Sequence, residues 1–322
     1  MSVFVFLRTS GREGLGVFWT LAKVMIPVMI GVKAVVELGL LPILARAFEP
    51  VMALVGLPAA TGLVWVTALL VNMYGGAAVL LALMPDLHLS GAQVTILGVM
   101  ILIAHAIPLE QRIAQRAGTG FLFSTLLRLG GALCLGAILN GVYRAGDWLQ
   151  GPAPVSMVSS GSSATERGNW AGWITDSLHT LGVIMIIVVS LVVLLRLMDK
   201  LGITARLTAL LAPVLGTVGI GGRAMPLTMV GVLLGLSYGG ALIIREAKAG
   251  TIPRRDLFLS ICLLSLTHSL IEDTLFIMAL GADLTGILLA RVVFTLIVIW
   301  ALDKVLRVVP ERTAERLLFA KA

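Results

Sequence analysis

The chain has 322 residues, of which 58% are hydrophobic and only 13% are charged, and its net charge is +7. Its mean hydropathy is +1.03, whereas a soluble domain carries about a quarter charged residues. This composition excludes an ordinary soluble globule and predicts an all-α polytopic membrane protein. A β-barrel is excluded as well, because the apolar runs are long and unbroken rather than alternating strands of ~10 residues.

Apolar segments of the roughly 20 residues that a membrane span needs occur along the whole chain. The predicted spans are 15–38, 60–84, 91–109, 119–142, 173–198, 222–244, 257–279 and 284–305. Two shorter apolar segments, 41–57 and 204–220, each contain a proline and are predicted either to cross the membrane or to re-enter it. The stretch 143–172 is rich in Gly, Ser and Pro and is predicted to be a loop.

This loop separates two halves that share rare residues in the same order. The pairs spaced by 163 residues are Pro50 with Pro213, His105 with His268, Glu110 with Asp273, and Arg128 with Arg291. The sequence Tyr-Gly-Gly-Ala at 74–77 recurs at 238–241. Such an ordered series indicates an internal repeat. We therefore predict a first repeat over 1–142, an extracytoplasmic loop over 143–172 and a second repeat over 173–322.

The charges of equivalent loops predict how the two halves are oriented. Loop 85–93 has no Lys or Arg, whereas loop 245–256 contains Arg245, Lys248, Arg254 and Arg255. Positive loops stay in the cytoplasm, so these two loops are expected on opposite sides of the membrane. This predicts inverted repeats with about ten membrane segments (5+5), some of them short or broken, and with both termini in the cytoplasm. Four spans plus a re-entrant hairpin in each half, giving parallel repeats, is the open alternative.

Inverted repeats with interrupted helices are typical of secondary transporters, whose sites lie near the midplane. The matched polar residues are therefore the candidates for binding a substrate, an ion or a proton: His105, Glu110, His268, Glu272 and Asp273. On an unbroken helix, His268 and Glu272 would share one face, and they are also the candidates for a metal. Pro108 is expected to break the helix in the first half. Alternatively, Glu110 lies at the cytoplasmic interface and Asp273 caps a helix.

Two further sets of polar and small residues extend the candidate site. Tyr74, Tyr238, Asn72 and Ser237 are candidates to line it, while Gly75, Gly76, Gly239 and Gly240 either break a helix or allow close packing. Arg128 and Arg291 lie deep in predicted spans. Deep arginines usually face a carboxylate, protein or water, so these two are expected to form ion pairs with Glu110 and Asp273 or to contact an anion.

Two motifs of common enzyme classes are absent from the sequence. There is no phosphate-binding G-x-x-x-x-G-K-[ST] loop and no H-E-x-x-H motif. We therefore predict that the chain is not an enzyme and needs no cofactor. The expected partners are the lipid bilayer and a small solute or ion, without nucleic acid; assembly into a homo-oligomer stays open.

Around Tyr74-Gly75-Gly76 with His105, and around Tyr238-Gly239-Gly240 with 268–273, the sequence resembles the nucleoside-recognition or Gate family. This bacterial membrane family includes spore-maturation membrane proteins and the gate segments of ferrous-iron transporters. The resemblance spans most of both halves, so that each half looks like one Gate unit.

The resemblance implies a multi-pass transporter in the inner (cytoplasmic) membrane for a nucleoside-like solute or a divalent cation. We predict secondary-type alternating access, with proton coupling as an option because a histidine titrates near neutral pH. The alternative is a membrane assembly protein of the same family that binds a partner and transports nothing. A membrane enzyme using a metal is the third and weakest hypothesis.

Overall fold

The computed structural model describes residues 3–153, 168–310 and 318–320, which form helices, turns and two isolated β-bridges. The helices of the first half are α1 (Val3–Glu37), α2 (Leu41–Leu54), α3 (Thr61–Leu70), α4 (Met73–Leu87), α5 (Gly91–Ile103), α6 (Ile107–Arg116) and α7 (Phe121–Ala145). Those of the second half are α8 (Trp170–Lys200), α9 (Ile203–Thr217), α10 (Met225–Leu234), α11 (Leu236–Ala249), α12 (Arg254–Leu266), α13 (Glu272–Ala279) and α14 (Arg291–Val308), which continues a π-helical turn at Thr285–Ala290. The helical architecture of the described residues agrees with the all-α class that was predicted.

Five helical stretches among the described residues are long and apolar enough to cross a membrane. They are Arg8–Glu37, Gly91–Arg116, Phe121–Ala145, Trp170–Lys200 and Thr285–Val308. Thr61–Leu70, Met73–Met84 and Ile203–Thr217 are shorter apolar helices. The outer helices expose large apolar side chains, for example Leu178 and Ile186 on α8. A surface of this kind suits lipid tails, and the chain is accordingly a helical membrane protein.

Helices α5 and α12 form the centre of the molecule. Twelve of the thirteen residues of α5 are buried, as is every residue of α12 from Leu257 to Leu266. Helix α5 packs against α7 and against the π-helical turn of the second half, while α12 packs against α14 and α7. A Cβ on Gly98 would lie 2.6 Å from Ile277, and one on Gly286 would lie 2.4 Å from Thr95, so glycine permits the closest contacts between the halves.

Four of the predicted spans are broken rather than continuous. Span 60–84 is interrupted between α3 and α4, span 91–109 between α5 and α6, span 222–244 at Gly235, and span 257–279 between α12 and α13. Broken segments were predicted, with an interruption expected at Pro108 in span 91–109, but the break between His268 and Glu272 in span 257–279 was not. The apolar composition of a segment predicts that it is buried. It does not predict the single residues at which the backbone leaves the helical conformation.

The two central breaks have the same backbone geometry. Helix α5 ends at Ile103 and α12 ends at Leu266, which are 163 residues apart. Three residues later Ala106 and Ser269 adopt left-handed conformations, with φ of 45° and 49°. Pro108 lies in the first turn of α6, where a missing N–H is tolerated. The interruption predicted beside Pro108 is therefore present. The second break has no proline at the equivalent place, so this backbone geometry does not require one.

The described part of the predicted 143–172 loop closes one end of α5. Helix α7 continues to Ala145 and α8 begins at Trp170, so the loop is shorter at both ends than predicted, and 154–167 lie outside the described residues. The amide of Gly91 donates to the Gly151 carbonyl at 3.0 Å, and that of Ala92 donates to the Leu149 carbonyl at 2.8 Å. These bonds pair two of the free N–H groups that begin any helix.

Candidate functional site

A pair of buried histidines lies where the two central helices end. His105 follows α5 and His268 follows α12, and the break after each helix turns the imidazole towards the other half. Their Nε2 atoms are 3.3 Å apart and the ring centroids are 5.0 Å apart. His105 is 6% exposed and His268 is 2% exposed, so the pair is shielded from bulk solvent. Residues 163 apart in the sequence thus meet in the interior.

The backbone fixes the tautomer of both rings. Nδ1 of His105 lies 2.9 Å from the Ile101 carbonyl oxygen, and Nδ1 of His268 lies 2.7 Å from that of Leu264. A carbonyl oxygen only accepts, so each Nδ1 must carry the hydrogen and donate it. In a neutral imidazole the lone pair then resides on Nε2. Both lone pairs therefore point towards the space between the rings.

Glu110 completes a triangle of acceptors with the two histidines. Its Oε1 atom lies 3.4 Å from Nε2 of His105 and 3.3 Å from Nε2 of His268. Its Oε2 atom contacts Arg128, whose side chain is fully buried. The predicted Arg128–Glu110 ion pair is therefore present, and Glu110 is buried within the protein, with 7% exposure.

Two buried arginines satisfy the carbonyls that the helix breaks release. Nε of Arg128 donates to the Ile103 carbonyl at 2.7 Å, and Nε of Arg291 donates to the Leu266 carbonyl at 3.1 Å. Arg291 also donates from Nη2 to the His268 carbonyl at 3.0 Å. The last carbonyls of any helix lack partners within it, so each guanidinium stabilises one break. The described hydrogen bonds of Arg291 thus go to the backbone rather than to the carboxylate predicted for it.

Asp273 brings a second carboxylate to the histidine pair. It lies in the first turn of α13 and is 4% exposed. Ligating atoms of His105, His268 and Asp273 all lie within 4.8 Å of one another. With both histidines neutral, the two arginines and the two carboxylates of this centre balance in charge. We call His105, His268, Glu110, Asp273 and the two arginines the polar centre.

Glu272 does not join His268 as the sequence predicted. The helix is broken between the two residues, so the i, i+4 geometry of a continuous helix, on which the predicted metal pair rested, does not apply. Instead, the Tyr74 hydroxyl donates to Oε1 of Glu272 at 3.2 Å, and the Tyr74 ring packs on Phe276 with centroids 4.6 Å apart. Tyr74 and Glu272 therefore form a second contact between the two halves.

The Tyr-Gly-Gly segment begins helix α4 rather than interrupting it. The Asn72 side chain accepts a hydrogen bond from the Gly75 amide at 2.8 Å and so acts as the N-cap. A Cβ on Gly76 would lie 2.8 Å from that of Ala68 on α3, so Gly76 serves close packing. In the second half the break precedes the motif, at Gly235. The backbone of 237–240 belongs to α11, while the side chains of Ser237 and Tyr238 and the surroundings of Gly239 and Gly240 lie outside the described part of the structure.

Some groups that contribute to the polar centre could not be identified from the sequence. The carbonyls of Ile103, Leu266 and His268 act through the backbone, which every residue type shares. Thr267, the residue before His268, shares a hydrogen bond with Thr295 of α14 at 2.6 Å between hydroxyl oxygens. In the sequence, only its position next to the matched histidine His268 could have indicated that Thr267 lies near the polar centre. Both threonines line an apolar cleft between α9, α10, α12 and α14.

Comparison with known proteins gives a class but not an activity. The chain is 28% identical over 278 residues to an uncharacterized membrane protein, YvoD, of Bacillus subtilis (strain 168), and the match covers 85% of this chain and 86% of that protein. No family model matches the chain, and no solved structure matches it. The similarity thus agrees with a membrane protein and assigns no substrate.

Proposed function

We propose that the chain is a multi-pass transporter of a small solute or ion that works by secondary-type alternating access. One observation carries the proposal: two interrupted helices, one from each half, bring a charged and hydrogen-bonded centre together inside an apolar bundle. Ionisable groups in a membrane interior are costly and usually mark a pathway or a relay. In transporters they lie where two repeats meet at broken helices.

The proposed architecture is two inverted Gate-like repeats with about five membrane segments each. It is supported by the recurrence, at a spacing of 163 residues, of the ends of α5 and α12 and of the left-handed Ala106 and Ser269. The opposite charge of loops 85–93 and 245–256 supports the inversion. In this proposal the protein lies in the inner membrane, has both termini in the cytoplasm and performs no enzymatic reaction.

From the resemblance to the Gate family, we propose two classes of cargo: nucleoside-like solutes and divalent cations. Motion between the halves would expose the polar centre to one side of the membrane and then to the other. The histidines and carboxylates are the groups that could hold the cargo or exchange a proton with it. Glu272 and Tyr74, which bridge the halves through one hydrogen bond, would break and re-form this contact during the cycle.

Uptake into sealed proteoliposomes over a panel of nucleosides and divalent cations tests this function. We expect at least one solute to enter faster than into empty vesicles, and His105→Ala or His268→Ala to reduce that rate at least about tenfold, a loss of about 1.4 kcal/mol in effective binding or barrier. His88→Asn and His179→Asn are the matched controls, because these two histidines are exposed.

If no solute is taken up and a stable membrane partner is found in pull-downs, the assembly function is favoured over transport. Flux that neither central histidine variant alters would leave transport standing but would remove the polar centre from it.

A further inference from the structure

We propose that His105, His268, Glu110 and Asp273 form a binding site for one divalent transition-metal ion of the zinc class, held in tetrahedral coordination. Oε1 of Glu110 lies 3.3–3.4 Å from Nε2 of the two histidines, and a carboxylate oxygen of Asp273 lies within 4.8 Å of a ring nitrogen of each histidine. The residues come from both halves of the chain, at the two central helix breaks. All four are buried, with exposures of 2–7%. The site differs from the sequence-based prediction, which paired His268 with Glu272.

The distances within the acceptor triangle match the face of a metal tetrahedron. Three edges of 3.3, 3.3 and 3.4 Å join Nε2 of His105, Nε2 of His268 and Oε1 of Glu110. An ion about 2.0–2.1 Å from each of three tetrahedral ligands places them about 3.3–3.4 Å apart. An octahedral magnesium ion at about 2.0–2.1 Å would need edges of only about 2.8–3.0 Å.

The hydrogen bonds behind the ligands have the arrangement that metal sites use. A metal-binding histidine usually donates its other ring N–H to a carbonyl or a carboxylate, which fixes the ring and its tautomer. Both histidines do so here, to Ile101 and Leu264. Glu110 is held in the same way, since its second oxygen contacts Arg128. Three lone pairs that face one another at hydrogen-bond distance repel unless a cation or a proton lies between them.

The ligand types select the class of metal. Imidazole nitrogen suits Zn²⁺, Cu²⁺, Ni²⁺ or Fe²⁺, whereas Mg²⁺ and Ca²⁺ take oxygen ligands. Two imidazole nitrogens and two carboxylate oxygens, three of these ligands spaced as one face of a tetrahedron, favour Zn²⁺ and its common spectroscopic substitute Co²⁺. Asp273, whose ligating atom lies within 4.8 Å of those of both histidines, supplies the fourth position. Only the identification of this ion as the cargo rests on the proposed transport function.

Cobalt binding to the purified full-length chain in detergent tests the site without requiring transport. After chelation and dialysis, Co²⁺ is titrated in and visible absorption is recorded, because tetrahedral Co²⁺ absorbs strongly and hydrated Co²⁺ does not. We expect one strongly absorbing Co²⁺ per chain, displaced by Zn²⁺. His105→Gln and His268→Gln should each weaken binding by more than the roughly 10- to 100-fold that the loss of an outer-shell partner costs.

His88→Asn and His179→Asn again serve as controls and should bind as the unaltered chain does. If the histidine variants do not fold, Asp273→Asn provides the second test, since it should weaken binding and shift the spectrum while three ligands remain. Absence of the tetrahedral bands in the unaltered chain, or equal binding in all variants, would overturn the proposal. Binding without flux would contradict only transport, whereas flux of a solute without Co²⁺ binding would contradict only the metal site.

Discussion

At the scale of single residues, the ion pair between Arg128 and Glu110 explains how the interior tolerates charge. Both side chains are buried, and Arg128 additionally donates to the Ile103 carbonyl. Removing two charges from water is costly, and breaking the buried pair is destabilising in turn, because the remaining charge stays buried and uncompensated. The pair therefore sets the position of Glu110 and keeps its other oxygen directed at the histidines.

Arg128→Met tests this pair through stability. We expect a loss of about 3–5 kcal/mol in the free energy of unfolding, because Glu110 and the Ile103 carbonyl lose their partner together. Denaturation in detergent, followed by circular dichroism, measures the loss. Arg196→Met is the matched control: its pair with Glu13 is substantially exposed, and such pairs contribute about 0–1 kcal/mol. Equal losses in the two variants would contradict a structural role specific to the buried pair.

At this scale the sequence identifies the right residue types but not all of their contacts. His105, His268, Glu110, Asp273 and the two arginines could be selected because charged residues are rare in an apolar chain and recur at one spacing. The pairing of His268 with Glu272 could not be judged, because it depends on an unbroken helix. The left-handed Ser269 that breaks it is an unremarkable residue in the sequence.

At the scale of helices, the breaks are stabilised by one another. The amide of Ala106, after α5, donates to the Ala68 carbonyl of α3 at 2.9 Å. In the second half the amide of Leu270 donates to the Val232 carbonyl of α10 at 2.7 Å. Interrupted backbone in a membrane is tolerated only where its polar groups find partners in protein or water. The break after α5 is thus hydrogen-bonded to α3, and the break after α12 to α10. Both α3 and α10 end at breaks of their own.

Gly235→Ala tests whether the α10–α11 break depends on glycine. Gly235 has φ 91° and ψ 167°, a region that is essentially confined to glycine, so alanine should destabilise the protein by about 1–3 kcal/mol. The measurement is thermal unfolding in detergent. Gly182→Ala is the control, because Gly182 is helical and no atom lies within 4 Å of the added Cβ. An unchanged midpoint for Gly235→Ala would contradict the required backbone conformation.

Helix breaks show the limit of pattern-based prediction at this scale. The positions of apolar segments follow from composition, and every predicted span falls on helices of the structure. Glycines at 75–76 suggested an interruption, yet the chain breaks before them, at Val71 and Asn72. The proline at 108 does accompany a break, which lies just before it. Local residue preference is weak against the packing of neighbouring helices, which decides where the backbone turns.

At the scale of the whole molecule, two halves with matching sequence enclose one polar centre. Corresponding atoms make corresponding bonds: Ile101 and Leu264 accept from the histidines, while Ile103 and Leu266 accept from the arginines. The correspondence is incomplete. Arg128 pairs with Glu110, whereas the described hydrogen bonds of Arg291 go to the backbone, and exposed Leu109 stands where the second half has Glu272. Rare residues at one spacing predict an internal repeat, but they could not show that the two matched histidines would lie in contact.

Sided labelling of cysteines is the most direct test that the two halves are opposed in the membrane. On a background carrying Cys134→Ala and Cys262→Ala, His88→Cys and Ala249→Cys each place one thiol at an exposed position in equivalent connections. A membrane-impermeant maleimide is added to intact cells and to inside-out vesicles. We predict that the His88→Cys variant reacts only from outside and the Ala249→Cys variant only from the cytoplasmic side. Reaction of both from the same side would contradict the inverted architecture.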